Sequence, residues 1–95
     1  MSIQSLIIKF AWDEKKRRAN LKKHGIDFVR VVRHFDRLTV VRLDEHEDYG
    51  EDRLVAIDDL GDVFAVVVFS MPDDETIRII SARKATRHEC KDIYS

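Results

Sequence analysis

The sequence predicts an α+β domain: an N-terminal strand and two helices, then an antiparallel β-meander and a C-terminal helix. Three observations lead there. Helix-start and helix-stop residues bracket residues 13–25 and 27–35, the apolar period changes from helical to strand-like at Leu38, and short turns separate the β-rich runs that follow. At 95 residues the chain holds one domain, 1–95, with a single core.

Residues 3–10 (IQSLIIKF) form a short mixed run that reads as an initial edge strand leading into Trp12. A helix over 13–24 follows. Asp13 suits its N-cap, Glu14 its positive end, the lysines its negative end, and Gly25 the left-handed residue that closes it. Asp27 then caps a second helix over about 28–35, where Phe28, Val31, Val32 and Phe35 recur at helical spacing and face the core. LTVVRL, RLVAID, VFAVVVFS and TIRIISARKA are the strands of the meander. The unbroken apolar run 63–69 belongs in its centre, with cover on much of both faces, and 71–75 (MPDDE) reads as a turn. Thr86 and Glu89 make a capping box for the last helix.

Charge is segregated along the chain. Residues 1–37 hold ten Lys/Arg against four Asp/Glu, 38–75 hold two against twelve, and 76–95 hold five against two. Two basic ends around an acidic middle point to one surface for phosphate and another for a cationic partner. The basic density peaks at residues 15–24, with six Lys/Arg and His24. There Asn20, Lys23 and His24 share a helix face at i, i+3 and i+4. An amide, a cation and a base on one face suit an anion-binding or phosphodiester-cleaving surface; a solvated basic helix has the same pattern.

Several classes are excluded or disfavoured. No apolar run is long enough to cross a membrane as a helix, and residues 2–10 lack the charged start and cleavage site of a signal peptide. The cytoplasm is the expected location. The lone Cys90 rules out an internal disulfide and a cysteine-based zinc site. The acidic stretch 44–52 (DEHEDYGED) lacks the donor spacing of a calcium loop, so no metal or other cofactor is expected.

Three blocks carry a family resemblance: FAWDEKKRRANLKKHGIDF (10–28), DEHEDYGEDR (44–53) and IRIISARKATRHE (77–89). In this order and spacing they resemble the BrnT family of bacterial toxins over roughly residues 8–94. The chain departs from the family pattern in 35–41, which lacks an Asp-Pro, at Phe69, and at His88 and Cys90. The resemblance implies a RelE-like fold and a ribonuclease toxin of a type II toxin–antitoxin pair, inhibiting translation and arresting growth. It also implies a BrnA-like ribbon-helix-helix antitoxin, contact with operator DNA only through that antitoxin, and compatibility with a dimer inside the complex.

Metal-independent RNA cleavage needs a base for the 2′-hydroxyl proton, an acid for the leaving 5′-oxygen, and cations on the phosphate. His24 is the first candidate for proton transfer. Arg83 is the candidate phosphate clamp, since a guanidinium forks onto phosphate oxygens. Lys23 and Arg53 add charge stabilisation, and Tyr49, with Glu51 or His46 as alternatives, supplies a second proton carrier. RNA-binding candidates are Asn20, Lys22, Lys84, Arg78, Arg87 and Trp12, the last by stacking on an unpaired base. Structural readings stand beside these: His24 as a cap of helix-end carbonyls, Arg83 and Arg78 as ion-pair partners of Glu89 or the acidic loop, and Trp12, Phe28 and Tyr94 as core. The competing functional class is a non-catalytic nucleic-acid-binding or co-repressor module.

Overall fold

Local capping fixes the first elements. The structure, a computed structural model, describes residues 8–44 and 52–94. Helix α1 (Glu14–His24) begins at Asp13, whose carboxylate accepts from the backbone N–H groups of Lys15 and Lys16 at 2.9 and 3.2 Å. It ends at Gly25, which at φ 74° donates its N–H to the Leu21 carbonyl at 2.8 Å. Helix α2 (Phe28–Arg33) starts at Asp27, which accepts from Val29 N–H at 3.0 Å. It stops short of residue 35: the His34 N–H bonds to Val31, and a 3-10 turn, Phe35–Arg37, redirects the chain. Phe35 still reaches the core, edge-on to Phe10 at 5.2 Å and to Phe69 at 5.4 Å.

The sheet has five strands: β1 (Lys9–Ala11), β2 (Thr39–Asp44), β3 (Arg53–Asp59), β4 (Phe64–Asp73) and β5 (Thr76–Lys84), in the order β1-β5-β4-β3-β2. Strands β2 to β5 form the expected antiparallel meander, while β1 lies at the edge and pairs parallel with β5. The sheet is therefore mixed. The expected strand over 3–10 begins only at Lys9 among the described residues, and residues 1–7 lie outside them. β4 runs through to Asp73, so Met71–Pro72–Asp73 belongs to the strand and the turn is only Asp74 and Glu75. A register shift between Ser70 and Asp73 accommodates Pro72, which has no N–H to donate. Thr86 and Glu89 form the predicted box, with Thr86 N–H to Glu89 at 2.8 Å and Glu89 N–H to Thr86 Oγ1 at 3.1 Å, and open helix α3 (Arg87–Tyr94).

Strand alternation divides the core. Ala56, Ala65, Val67, Phe69, Ile77, Ile79 and Ala82 pack with Phe28, Val31 and Ile26 on the helix-covered face, and Val55, Ile57 and Val66 cluster on the other. As its sequence predicts, β4 is the middle strand.

Two buried polar residues interrupt this apolar order. Asn20, 8 % exposed, donates to the Ala82 carbonyl at 2.7 Å and the Ile26 carbonyl at 3.0 Å and accepts from Ala82 N–H at 3.1 Å. Its amide thus binds β5 as a neighbouring strand would. Asp58 on β3 is fully buried, and neither carboxylate oxygen has a hydrogen-bond partner among the described residues. Desolvation pushes it up to about 7; His34 and Arg37 oppose the shift, and Asp36 and Asp59 reinforce it.

Replacing Asn20 by Ala strands both backbone groups of Ala82 and the Ile26 carbonyl, and denaturant titration is expected to show a loss of about 2–3 kcal/mol. For Asp58 the folded state binds the proton more tightly than the unfolded chain. Its unfavourable contribution is absent below the ordinary carboxylate value, grows as pH rises, and is complete above about 7. Asp58→Asn is therefore expected to stabilise by on the order of 2 kcal/mol at pH 8 and by almost nothing at pH 4, read as thermal melts at both pH values.

Candidate functional site

The register places the candidate residues on two surfaces that meet at β5. Arg78 lies between the inward-facing Ile77 and Ile79, and Arg83 pairs with Val66 of the second cluster, so both point to the face opposite α1 and α2. Arg53, two residues before Val55, shares that face, one step along the ladder from Leu54–Phe69 and hence beside Ser70. Ser70 pairs with Arg78, is 1 % exposed, and its Oγ has no hydrogen-bond partner among the described residues. Arg53, Ser70 and Arg78 thus form a row across β3, β4 and β5, and Arg83 lies further along the same face.

Arg83 is held by α3. Its two terminal nitrogens donate to the Glu89 carboxylate at 2.8 and 2.7 Å, and one also donates to the Lys84 carbonyl at 3.2 Å. The guanidinium keeps Glu89 down at about 2, aided by the Thr86 N–H, and Glu89 in turn raises Arg83. This fork is the arrangement that a phosphate would share or displace.

The second surface is α1. Lys22, Lys23 and His24 are exposed on its last turn, and His24 makes no side-chain hydrogen bond or ion pair among the described residues. The reading of His24 as a cap of helix-end carbonyls is not met, because its ring makes no hydrogen bond to a carbonyl among the described residues, while Gly25 N–H serves the Leu21 carbonyl. Arg17 and Arg18 pair with Glu14, and Arg17 also with Asp27 at 3.0 Å; the hydrogen bonds from Arg17 and Trp12 hold Glu14 down at about 2. Those two arginines organise the helix; the lysines and His24 face outward.

Asn20 requires a correction. Its oxygen and both amide hydrogens are committed to backbone groups in the protein interior, so it neither orients His24 nor reaches RNA. Trp12 is partly core: it packs edge-on to Phe28 at 6.3 Å and donates its indole N–H to Glu14 at 3.2 Å, yet it also lines a cleft. Lys84 and Arg87 are exposed where β5 passes into α3. Tyr49, His46 and Glu51, with most of the acidic stretch, lie outside the described residues, as does any test of the stretch as a docking loop. The Tyr94 side chain is likewise outside them.

Sequence reasoning did not single out Lys16 or Ser70. Lys16 could have been found, since it lies one turn before Asn20 and two before His24 in a single i, i+4 row. Ser70 had no signal, being one hydroxyl at the end of an apolar run. Among the described residues no group of His, Cys, Asp or Glu could hold a metal ion, and no helix is long and apolar enough to cross a membrane.

The family model described as ribonuclease toxin, BrnT, of type II toxin–antitoxin system matches residues 12–89. The crystal structure of the Brucella abortus ribonuclease toxin BrnT superposes with a TM-score of 0.67 at 32% identity, over 84% of this chain and 99% of that one. No curated protein sequence matches.

The Arg83–Glu89 fork contributes stability above the ordinary carboxylate range that is lost as pH falls through about 2. Discounted for its part exposure, Glu89→Gln is expected to cost about 0.5–1 kcal/mol at neutral pH, with the difference narrowing in acid. Melting temperatures of the two chains across pH check this.

Proposed function

The chain belongs to the BrnT family of ribonuclease toxins of type II toxin–antitoxin systems, and from that membership we propose that it cleaves RNA by metal-independent acid–base chemistry. The reading rests on one contact, the docking of Asn20 on Ala82. His24 is one helical turn beyond Asn20, and Arg83 is one residue beyond Ala82. That buried tie holds α1, which carries His24, against the edge of β5, and Arg83 leaves the same strand on the opposite sheet face, so in this reading the RNA meets the two groups from either side of that edge.

In this mechanism His24 takes the 2′-hydroxyl proton, and the 2′-oxygen attacks the adjacent phosphorus. Arg83 receives the phosphate oxygens on the fork now held by Glu89, with Arg53 and Lys23 offsetting the negative charge of the transition state. Tyr49 is the assigned donor to the departing 5′-oxygen. Lys22, Lys84, Arg78 and Arg87 hold the flanking backbone, and the binding weakens with salt as phosphate contacts do.

The activity is exerted in the cytoplasm, where it blocks translation and growth. A BrnA-like ribbon-helix-helix antitoxin covers the basic surfaces, meets the acidic stretch with its own cations, and carries the complex to operator DNA. The competing reading, nucleic-acid binding without turnover, draws on the pairing of Arg83 with Glu89, which gives that arginine a structural role.

Induction of the chain alone in a bacterium is expected to arrest growth with loss of intact RNA on a gel. His24→Ala and Arg83→Ala, at matched soluble levels, relieve both effects and lower cleavage in vitro by about 10²–10⁴-fold. Soluble, folded chain that neither arrests growth nor cuts RNA supports the binding module instead.

A further inference from the structure

Where β1 ends, a cleft opens. Ala11, the last residue of β1, pairs with Arg78, and beyond it β5 has no strand on that side among the described residues until Asn20 takes the backbone of Ala82. Between these two attachments lies Ile80, the extra residue of a bulge, since Ile79 pairs with Phe69 and Ser81 with Val68. The cleft measures about 350 Å³ and is lined by Trp12, Lys16, Arg78, Ile79 and Ile80, with Ala11 and Asp13. That volume is at the small end of the range for small-ligand sites, about 300–1,000 Å³.

Its lining combines two chemistries. Trp12, Ile79 and Ile80 supply apolar surface, and the Trp12 ring is fixed by its bond to Glu14 and its edge contact with Phe28. Lys16 on α1, and Arg78 at the edge of β5 where the opposite sheet face begins, supply positive charge. Lys16 makes no ion pair among the described residues, in contrast to Arg17 and Arg18 beside it. Asp13, the one carboxylate in the lining, is engaged as the cap of α1 by two backbone N–H groups. An indole and two isoleucines next to two cations match a base and its phosphate better than they match an acidic side chain, which would use only the cations.

We propose that this cleft is a subsite for one unpaired nucleotide of the RNA strand, the base against Trp12 and Ile80 and the phosphate on Lys16 and Arg78. The inference rests on the ribonuclease reading and adds a determinant of sequence context to it. Lys16 precedes His24 by two helical turns, about 12 Å along the axis. The occupant is therefore a flanking nucleotide and not the one being cut.

Trp12 is the chain's single tryptophan, so its fluorescence reports the cleft independently of cleavage. The full chain carrying His24→Ala is titrated with AMP, GMP, CMP and UMP, excited at the red edge of the indole band, with inorganic phosphate as control. A saturable change is expected with at least one nucleotide, a weaker one with phosphate, and roughly tenfold weaker nucleotide binding in Lys16→Glu at an unchanged melting temperature. Lys16→Ala gives the same direction should the reversed charge disturb α1. In the otherwise native chain, Lys16→Glu moves the preferred cleavage positions on mixed-sequence RNA.

No saturable response to any of the four nucleotides, with cleavage positions unmoved by Lys16→Glu, overturns the subsite and leaves the ribonuclease reading standing. A response to a glutamate-rich peptide but to no nucleotide overturns it in favour of a protein occupant. Failure of the native chain to cut RNA is seen separately, in the cleavage assay, and counts against the ribonuclease reading itself.

Discussion

The tie between the Asn20 amide and the backbone of Ala82 is the constraint on which the rest of the arrangement depends. β1 covers the edge of β5 only as far as Arg78, and the peptide groups beyond need a partner. Asn20 supplies one from a helix, with three hydrogen bonds at 2.7–3.1 Å. Because the third of these goes to Ile26, the same side chain also fixes the turn that follows α1. An ordinary surface helix with the weak apolar content of α1, whose buried residue is Asn20 alone, has little else to hold its rotation or height against the sheet.

That constraint sorts the positive charges. Arg17 is engaged with Glu14 and Asp27 and Arg30 with Asp62, so these two guanidinium groups join elements of the fold, while Arg18 pairs with Glu14 within α1. Lys16, Lys22, Lys23 and His24 stay outward along α1, and Arg53, Arg78 and Arg83 share the opposite sheet face. The two sets approach one another only around the edge of β5. The buried Asp58, which feels the charges of His34, Asp36 and Arg37, lies away from that edge.

What was legible in the sequence was local. Asp13, Gly25, Asp27 and the Thr86–Glu89 box act within a few residues, and each performs the predicted role. The meander was legible because turns separate its strands, and the family resemblance because its three blocks lie in order. The parallel pairing of β1 with β5 was not legible, since it joins positions more than sixty residues apart with no intervening pattern. Pro72 suggested a turn and instead occupies a register shift. Asn20 shows why site prediction is harder than fold prediction: its spacing with Lys23 and His24 is that of a ligand-binding face, but the approach of β5 turns it into a structural partner. The arginine row needed the strand register and the Ile80 bulge, neither of which periodicity reveals.

Cleavage by a 2′-hydroxyl attack, driven by the protein's own base and cations, is tested most directly by the ends it leaves. The purified chain is incubated with mixed-sequence RNA in the presence of a strong chelator, and the termini of the fragments are identified. Undiminished cleavage yielding 2′,3′-cyclic phosphate and 5′-hydroxyl ends is the predicted result. Cleavage that stops with the chelator and returns with a divalent metal, leaving 3′-hydroxyl and 5′-phosphate ends, would contradict it.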